Sequence, residues 1–136
     1  MNKNMFSAAL VSGIVLLLTS IIAIYAGVFL MPGLMEEYYT DVFRASEDRA
    51  WLFYSHPFIL GFALSWFWNR FKEVLDGNIL LRSLEFGVIY GVVATIPTMW
   101  ITFSAIQVSF PMVASWAAFG VFQASIAGFI NARLNA

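Results

Sequence analysis

The chain has 136 residues, of which 61% are hydrophobic and only 11% charged, against roughly 25% charged in an ordinary soluble domain. So little charge cannot cover a water-facing surface, and a mean hydropathy of +0.81 agrees with a chain covered largely by lipid. The length fits one domain, 1–136. The absence of Cys excludes disulfides, thiolate metal sites and cysteine nucleophiles, and a net charge of −1 without any basic run argues against nucleic acid.

Four apolar stretches follow in order, about 5–30, 51–68, 83–106 and 111–130. Each is near or above the ~18–20 residues that a helix needs to cross a bilayer. Hydrocarbon offers no partner to backbone N–H and C=O groups, so each stretch must satisfy them internally, as a helix does. The expected fold is all-α: an integral-membrane four-helix up–down bundle, with short connections making sequential neighbours antiparallel. The first stretch follows Lys3 and resembles a secretory leader, but it runs for about 25 residues where a leader's apolar region has ~7–15. It reads as a retained first span.

Pro32-Gly33 ends that span. Met35, Tyr38, Tyr39 and Val42 then recur at helical spacing among Glu36, Glu37, Asp41 and Arg44, which predicts a short amphipathic helix on the outer surface. Its carboxylates, with Glu47 and Asp48, have no metal-ligand spacing and read as a solvated, partner-facing surface. Ser46 is placed to cap the second span. His56-Pro57 allows a second reading, in which that helix starts only at Pro57. Asp76-Gly77-Asn78 marks a turn, after which the third helix can begin as early as Ile79. Pro97 predicts a kink inside it, with Thr95 or Thr98 taking up freed backbone groups. Pro111 suits the first turn of the fourth helix.

Lys3, Arg70, Lys72, Arg82 and Arg133 flank one side of this arrangement, whereas the other side has Arg44 and Arg49. Positive charge stays in the cytoplasm, so the expected location is the inner (plasma) membrane with both termini inside. Small residues four apart mark packing faces: Ala9/Gly13, Ala23/Gly27, Gly61/Ser65, Gly87/Gly91 and the stripe Gly120, Ala124, Gly128. Such faces serve either intramolecular packing or an oligomer interface.

Polar groups inside a membrane cost free energy unless partnered, so they are the best functional pointers here. Counting ~1.5 Å per residue sets Tyr25, His56, Trp100, Thr102, Ser115 and Trp116 at one outer level. Facing inward, they would form a polar–aromatic ligand pocket. His56 can serve there as ligand, proton acceptor or hydrogen-bond donor, or simply as an interfacial histidine. Glu85 reads as an interfacial cap or ion pair with Arg82 or Arg133, or as a proton- or cation-coupling group. Tyr90 and Gln123 lie at matching depth and suit a hydrogen bond between helices three and four. Phe53, Phe58, Phe62 and Phe103 are candidates to line an apolar site, with packing as the default.

The segment Leu84-Glu85-Phe86-Gly87, then Pro97, Phe110-Pro111 and Trp116…Gly120…Gln123…Gly128, resembles small uncharacterised four-span proteins of bacterial inner membranes. That resemblance implies neither activity, substrate nor cofactor. Three functions stay open. The first is a non-enzymatic protein that acts by binding, as accessory or assembly subunit of a larger membrane complex or as a homo-oligomer. The second is a transporter or channel for a small solute or proton. The third is a membrane enzyme, or a binder of pigment, quinone or lipid at the outer pocket.

Overall fold

The computed structural model describes residues 3–43 and 47–136, with only the backbone described at Glu47. It is all-helical, with no strand among the described residues. Helix α1 spans Lys3–Leu30, and Pro32–Glu36 forms a single short helix, α2. Helix α3 is Ala50–Phe71, α4 runs over Ile79–Ala105, and α5 is Phe110–Leu134. Among the described residues, α1, α4 and α5 are long and apolar enough to cross a membrane.

Glycines decide how these helices meet. At Gly61 of α3 an added methyl carbon would lie 2.7 Å from the Gly13 backbone nitrogen and 2.9 Å from the Ala9 carbonyl oxygen. The backbones of α1 and α3 therefore touch almost directly. Gly13 is closed from the other side by Phe58, and Phe6 packs edge-on against Phe62 further along. In α4, Gly87 lies under the Val121 carbonyl and Ser125 of α5, and Gly91 under the Val121 side chain. Gly120 and Gly128 of α5 in turn face Thr95 and the Ser83–Phe86 turn of α4. Where lipid is as apolar as the side chains, this close approach is what favours helix–helix contact. The predicted small-residue faces thus pack within the chain, and Ala124 sits fully buried beside them.

The result is two antiparallel pairs, α1/α3 and α4/α5, joined along a seam between α1 and α5. At one end, which we call the base, Trp68 of α3 donates from Nε1 to the Asn135 carbonyl (3.2 Å), and Lys72 donates from Nζ to the Ala136 carbonyl (2.9 Å). The Arg82 guanidinium stacks 5.3 Å over the Trp68 ring and donates to the Lys72 carbonyl (2.7 Å). Phe86 packs against Phe67 and Trp68, bringing α4 to α3 at this end. Toward the opposite end, the top, the stretch Ile96–Ala105 of α4 buries no residue at all. The four long helices are therefore closed at the base and splayed at the top, rather than packed as an even square.

One local expectation changes. The surface segment is not one amphipathic helix: α2 gives way to 3-10 turns at Glu37–Tyr39 and Asp41–Phe43, with Thr40 extended between them (ψ 159°). Tyr39 is accordingly 88% exposed, while Met35 turns back onto Gly27. Helix α3 begins at Ala50 and carries Pro57 inside it, so His56 is helical despite the following proline. Arg44 and Ser46, the latter an expected cap, lie outside the described residues. The expected start at Ile79 is present, capped by the Asn78 side chain accepting from the Leu81 N–H (3.0 Å). The chain exits the preceding turn through Gly77 at φ 101°, a conformation that favours glycine.

Pro97 is absorbed by a π turn at Gly91–Thr95, in which the Ile96 N–H reaches back to the Gly91 carbonyl. Thr98 donates its hydroxyl to the Ala94 carbonyl (2.6 Å), four residues back on its own helix, whereas the carbonyl that Pro97 deprives of its helical N–H is that of Val93. The wider turn relieves crowding by the pyrrolidine ring. Replacing Gly61 with Ala should lower stability by about 1–3 kcal/mol, because rigid backbone occupies the methyl's place. Gly33→Ala, with nothing within 4 Å of the added carbon, should change it by less than ~0.5 kcal/mol. Thermal melts of both variants in one detergent check the contrast.

Candidate functional site

The most elaborated polar site at the top is the start of α5. Ser109 caps that helix, its Oγ accepting from the Met112 N–H (3.2 Å), and Pro111 in the first turn needs no N–H partner. The same hydroxyl donates to Glu37 Oε1 (2.5 Å), and the Ser109 N–H donates to Glu37 Oε2 (3.2 Å). A carboxylate from the first connection thus sits at the positive end of the α5 dipole and straps that connection to the third. Next to it, Trp116 donates from Nε1 to the Tyr38 hydroxyl (2.5 Å), and Phe43 packs edge-on against Trp116. The first connection is fixed to α5 by the Glu37–Ser109 hydrogen bonds and an aromatic cluster.

The residues expected at one outer level are not drawn into one pocket. Tyr25 is 67% exposed, and Trp100 79%. His56 is exposed as well. Thr102 and Ser115 spend their hydroxyls on the Thr98 and Met112 carbonyls of their own helices. Among the described residues, Trp116 is the one of the six with a side-chain hydrogen bond to another element, through Tyr38. Equal depth did not mean a shared pocket: Trp100 lies on the open face between α4 and α5, and Tyr25 and His56 are exposed on their own helices.

What the splay opens instead is an apolar trough of about 740 Å³ between α4 and α5. Ile96, Met99, Trp100 and Phe103 form one wall, and Phe110 and Val113 the other. Its size falls in the range of ligand pockets, but it lacks the convergent polar groups that orient a small polar ligand. It can therefore hold hydrocarbon or an apolar side-chain surface. Of the candidate phenylalanines, Phe103 lines it; Phe58 and Phe62 pack against α1, and Phe53 against Tyr54.

Nearer the base, Gln123 turns to α1 rather than to Tyr90, its Nε2 donating to Ser20 Oγ (3.0 Å). Antiparallel α1 and α5 face each other across the seam, while Tyr90 packs half-buried against the core. Asn131, fully buried, donates from Nδ2 to Ser65 Oγ (2.9 Å) and to the Ala127 carbonyl (2.8 Å), tying α5 to α3. Glu85 is exposed, while Arg82 turns to Trp68 and Arg133 stacks over Phe129. Neither expected ion pair with Glu85 forms.

No protein-family model, curated protein or solved structure matches the chain. Removing the strap has a defined cost. Ser109→Ala and Glu37→Ala should each destabilise by about 0.5–2 kcal/mol, the usual worth of a cap. The double variant should lose clearly less than the sum, because both act on one helix end. Chemical or thermal unfolding of the three variants measures this.

Proposed function

We propose that this is a multi-pass protein of the bacterial inner membrane that acts by binding, as an accessory or assembly subunit or as a homo-oligomer. The trough between α4 and α5 is where an apolar helix of the partner seats. The observation that carries this reading is the top half of α4: Ile96–Ala105 buries nothing, whereas the half of α4 below it meets α5 closely at Gly87 and Gly91. Below Pro97 the α4 backbone closes on α5, and above it this face of α4 is left unmatched. Its aromatic and branched side chains, Trp100, Ile101 and Phe103 among them, offer a broad contact surface.

The topology belongs to the same proposal. Helix α3 is the fourth crossing: it is rich in Trp, Tyr and Ser and so less apolar, but it lies antiparallel against α1 from Phe6–Phe62 to Gly13–Phe58. If α1 crosses, so does α3. The base, with Lys72, Arg82 and Arg133, faces the cytoplasm together with both termini, and the Glu37–Ser109 strap faces outward.

The chain has no native Cys, so single-cysteine variants are clean reporters. A membrane-impermeant maleimide on intact cells should label Thr40→Cys and leave Gly77→Cys unlabelled until the membrane is opened; labelling of both on intact cells would overturn the topology. A photo-crosslinking residue at position 100 should give a discrete protein adduct in native membranes, and one at position 29, exposed on α1, should not. Lipid adducts only, or identical products at both positions, would contradict the proposed binding face.

A further inference from the structure

The lower half of α4 carries a charge that no described residue meets. Glu85 is exposed, with neither an ion pair nor a hydrogen bond from its side chain to any described residue. The cations of the base are engaged elsewhere. Arg70 lies over Trp66, Arg82 over Trp68 and Arg133 over Phe129, while Lys72 holds the carbonyls of Asn135 and Ala136.

Helix α4 is long and apolar enough to cross a membrane, and Glu85 stands about 9 Å along it from Ile79. Leu80, Leu81 and Leu84 toward the base and Val88 and Val92 toward the top are all exposed. The apolar face therefore continues for about a turn beneath Glu85, so the carboxylate lies inside the apolar band rather than at its margin. Its short stem cannot carry the charge past that turn, as the longer stems of Lys and Arg can. Carboxylates in such places are costly and generally find a cation. Glu85, Val88 and Val92 recur at helical spacing on one face, which runs on to Ile96, the trough residue of α4 nearest the base.

We propose that the partner helix seated in the trough continues down this face and carries a Lys or Arg that pairs with Glu85. The inference rests on the binding role proposed above and selects among its forms. Two copies packed α4 to α4 about a two-fold axis normal to the membrane would set Glu85 against its own counterpart, like charge to like charge. The partner is instead a different membrane chain, with a basic residue in an otherwise apolar helix. From Trp100 to Glu85 α4 rises about 22 Å, so that residue lies roughly 15 positions along the partner helix from the segment meeting Trp100.

The test places a photo-crosslinking residue at position 100 or at position 88 of the full chain in native membranes. Both should capture the same partner chain, and the peptide mapped at position 88 should hold a Lys or Arg within one helical turn of the adduct. Glu85→Gln should cut both yields several-fold and leave the melt of the isolated chain unchanged. Glu85→Lys, combined with an acidic residue at the mapped partner position, should restore them. No protein adduct at position 100 would overturn the binding role and this pairing together. A position-100 adduct insensitive to Glu85→Gln, or a position-88 peptide without Lys or Arg, would overturn the pairing alone. Capture of a second copy of this chain at position 88, or of lipid only, would overturn it too. The mapping keeps Glu85 in place and so stands whatever the variants do.

Discussion

The constraint on which the structure depends is the absence of room for a single methyl group at Gly61. There the α3 backbone meets the Gly13 nitrogen and the Ala9 carbonyl of α1. In a bilayer, burying apolar surface between helices gains little over burying it in lipid, so contact distance and matched polar groups decide which helices associate. The Gly87 and Gly91 contacts with α5 repeat the device in the other pair. Everything larger follows from where these close approaches occur and where they stop. They stop at Thr95 against Gly120, just before Pro97, and beyond that point α4 departs from its neighbours.

The two ends of the molecule are consequently different in kind. At the base, cationic side chains are used structurally: Arg82 covers Trp68 and holds the Lys72 carbonyl, and Lys72 holds the carbonyls at the chain's C-terminal end. At the top, one carboxylate and an aromatic cluster hold the first connection, while the adjoining face of α4 lies open. A tight base and an open top suit a protein that offers a preformed surface within the membrane, without a catalytic constellation being required.

Much of the fold was legible in the sequence because its signals are local. The start of the third helix at Ile79, the place of Pro111 in the first turn of α5 and the small-residue pairs all rest on rules that act within one or two turns. The candidate pocket did not emerge, because depth along a helix can be counted from sequence whereas facing depends on how neighbours rotate and splay. Gln123 shows the same limit: its polarity signalled an interhelical bond, but the partner was Ser20 on a helix a hundred residues away. Asn131 was missed because it falls one residue beyond the fourth apolar stretch, where polarity looks like the start of a tail; only its burial and its bond to Ser65 show that it is interior. Glu37 looked like one of several surface carboxylates, and nothing local distinguishes it from Glu36 until Ser109 arrives from the far end of the chain.

The claim that carries the rest is that the two helix pairs meet along α1 and α5 in a single register. Paired cysteines at Ser20 and Gln123, with Ser20 and Phe122 as the displaced control, test it in native membranes using a short thiol cross-linker. The account predicts rapid cross-linking within one chain for the Ser20/Gln123 pair and little for the control, since Phe122 is exposed on another face of α5. Equal yields from both pairs, or products formed only between chains, would contradict it.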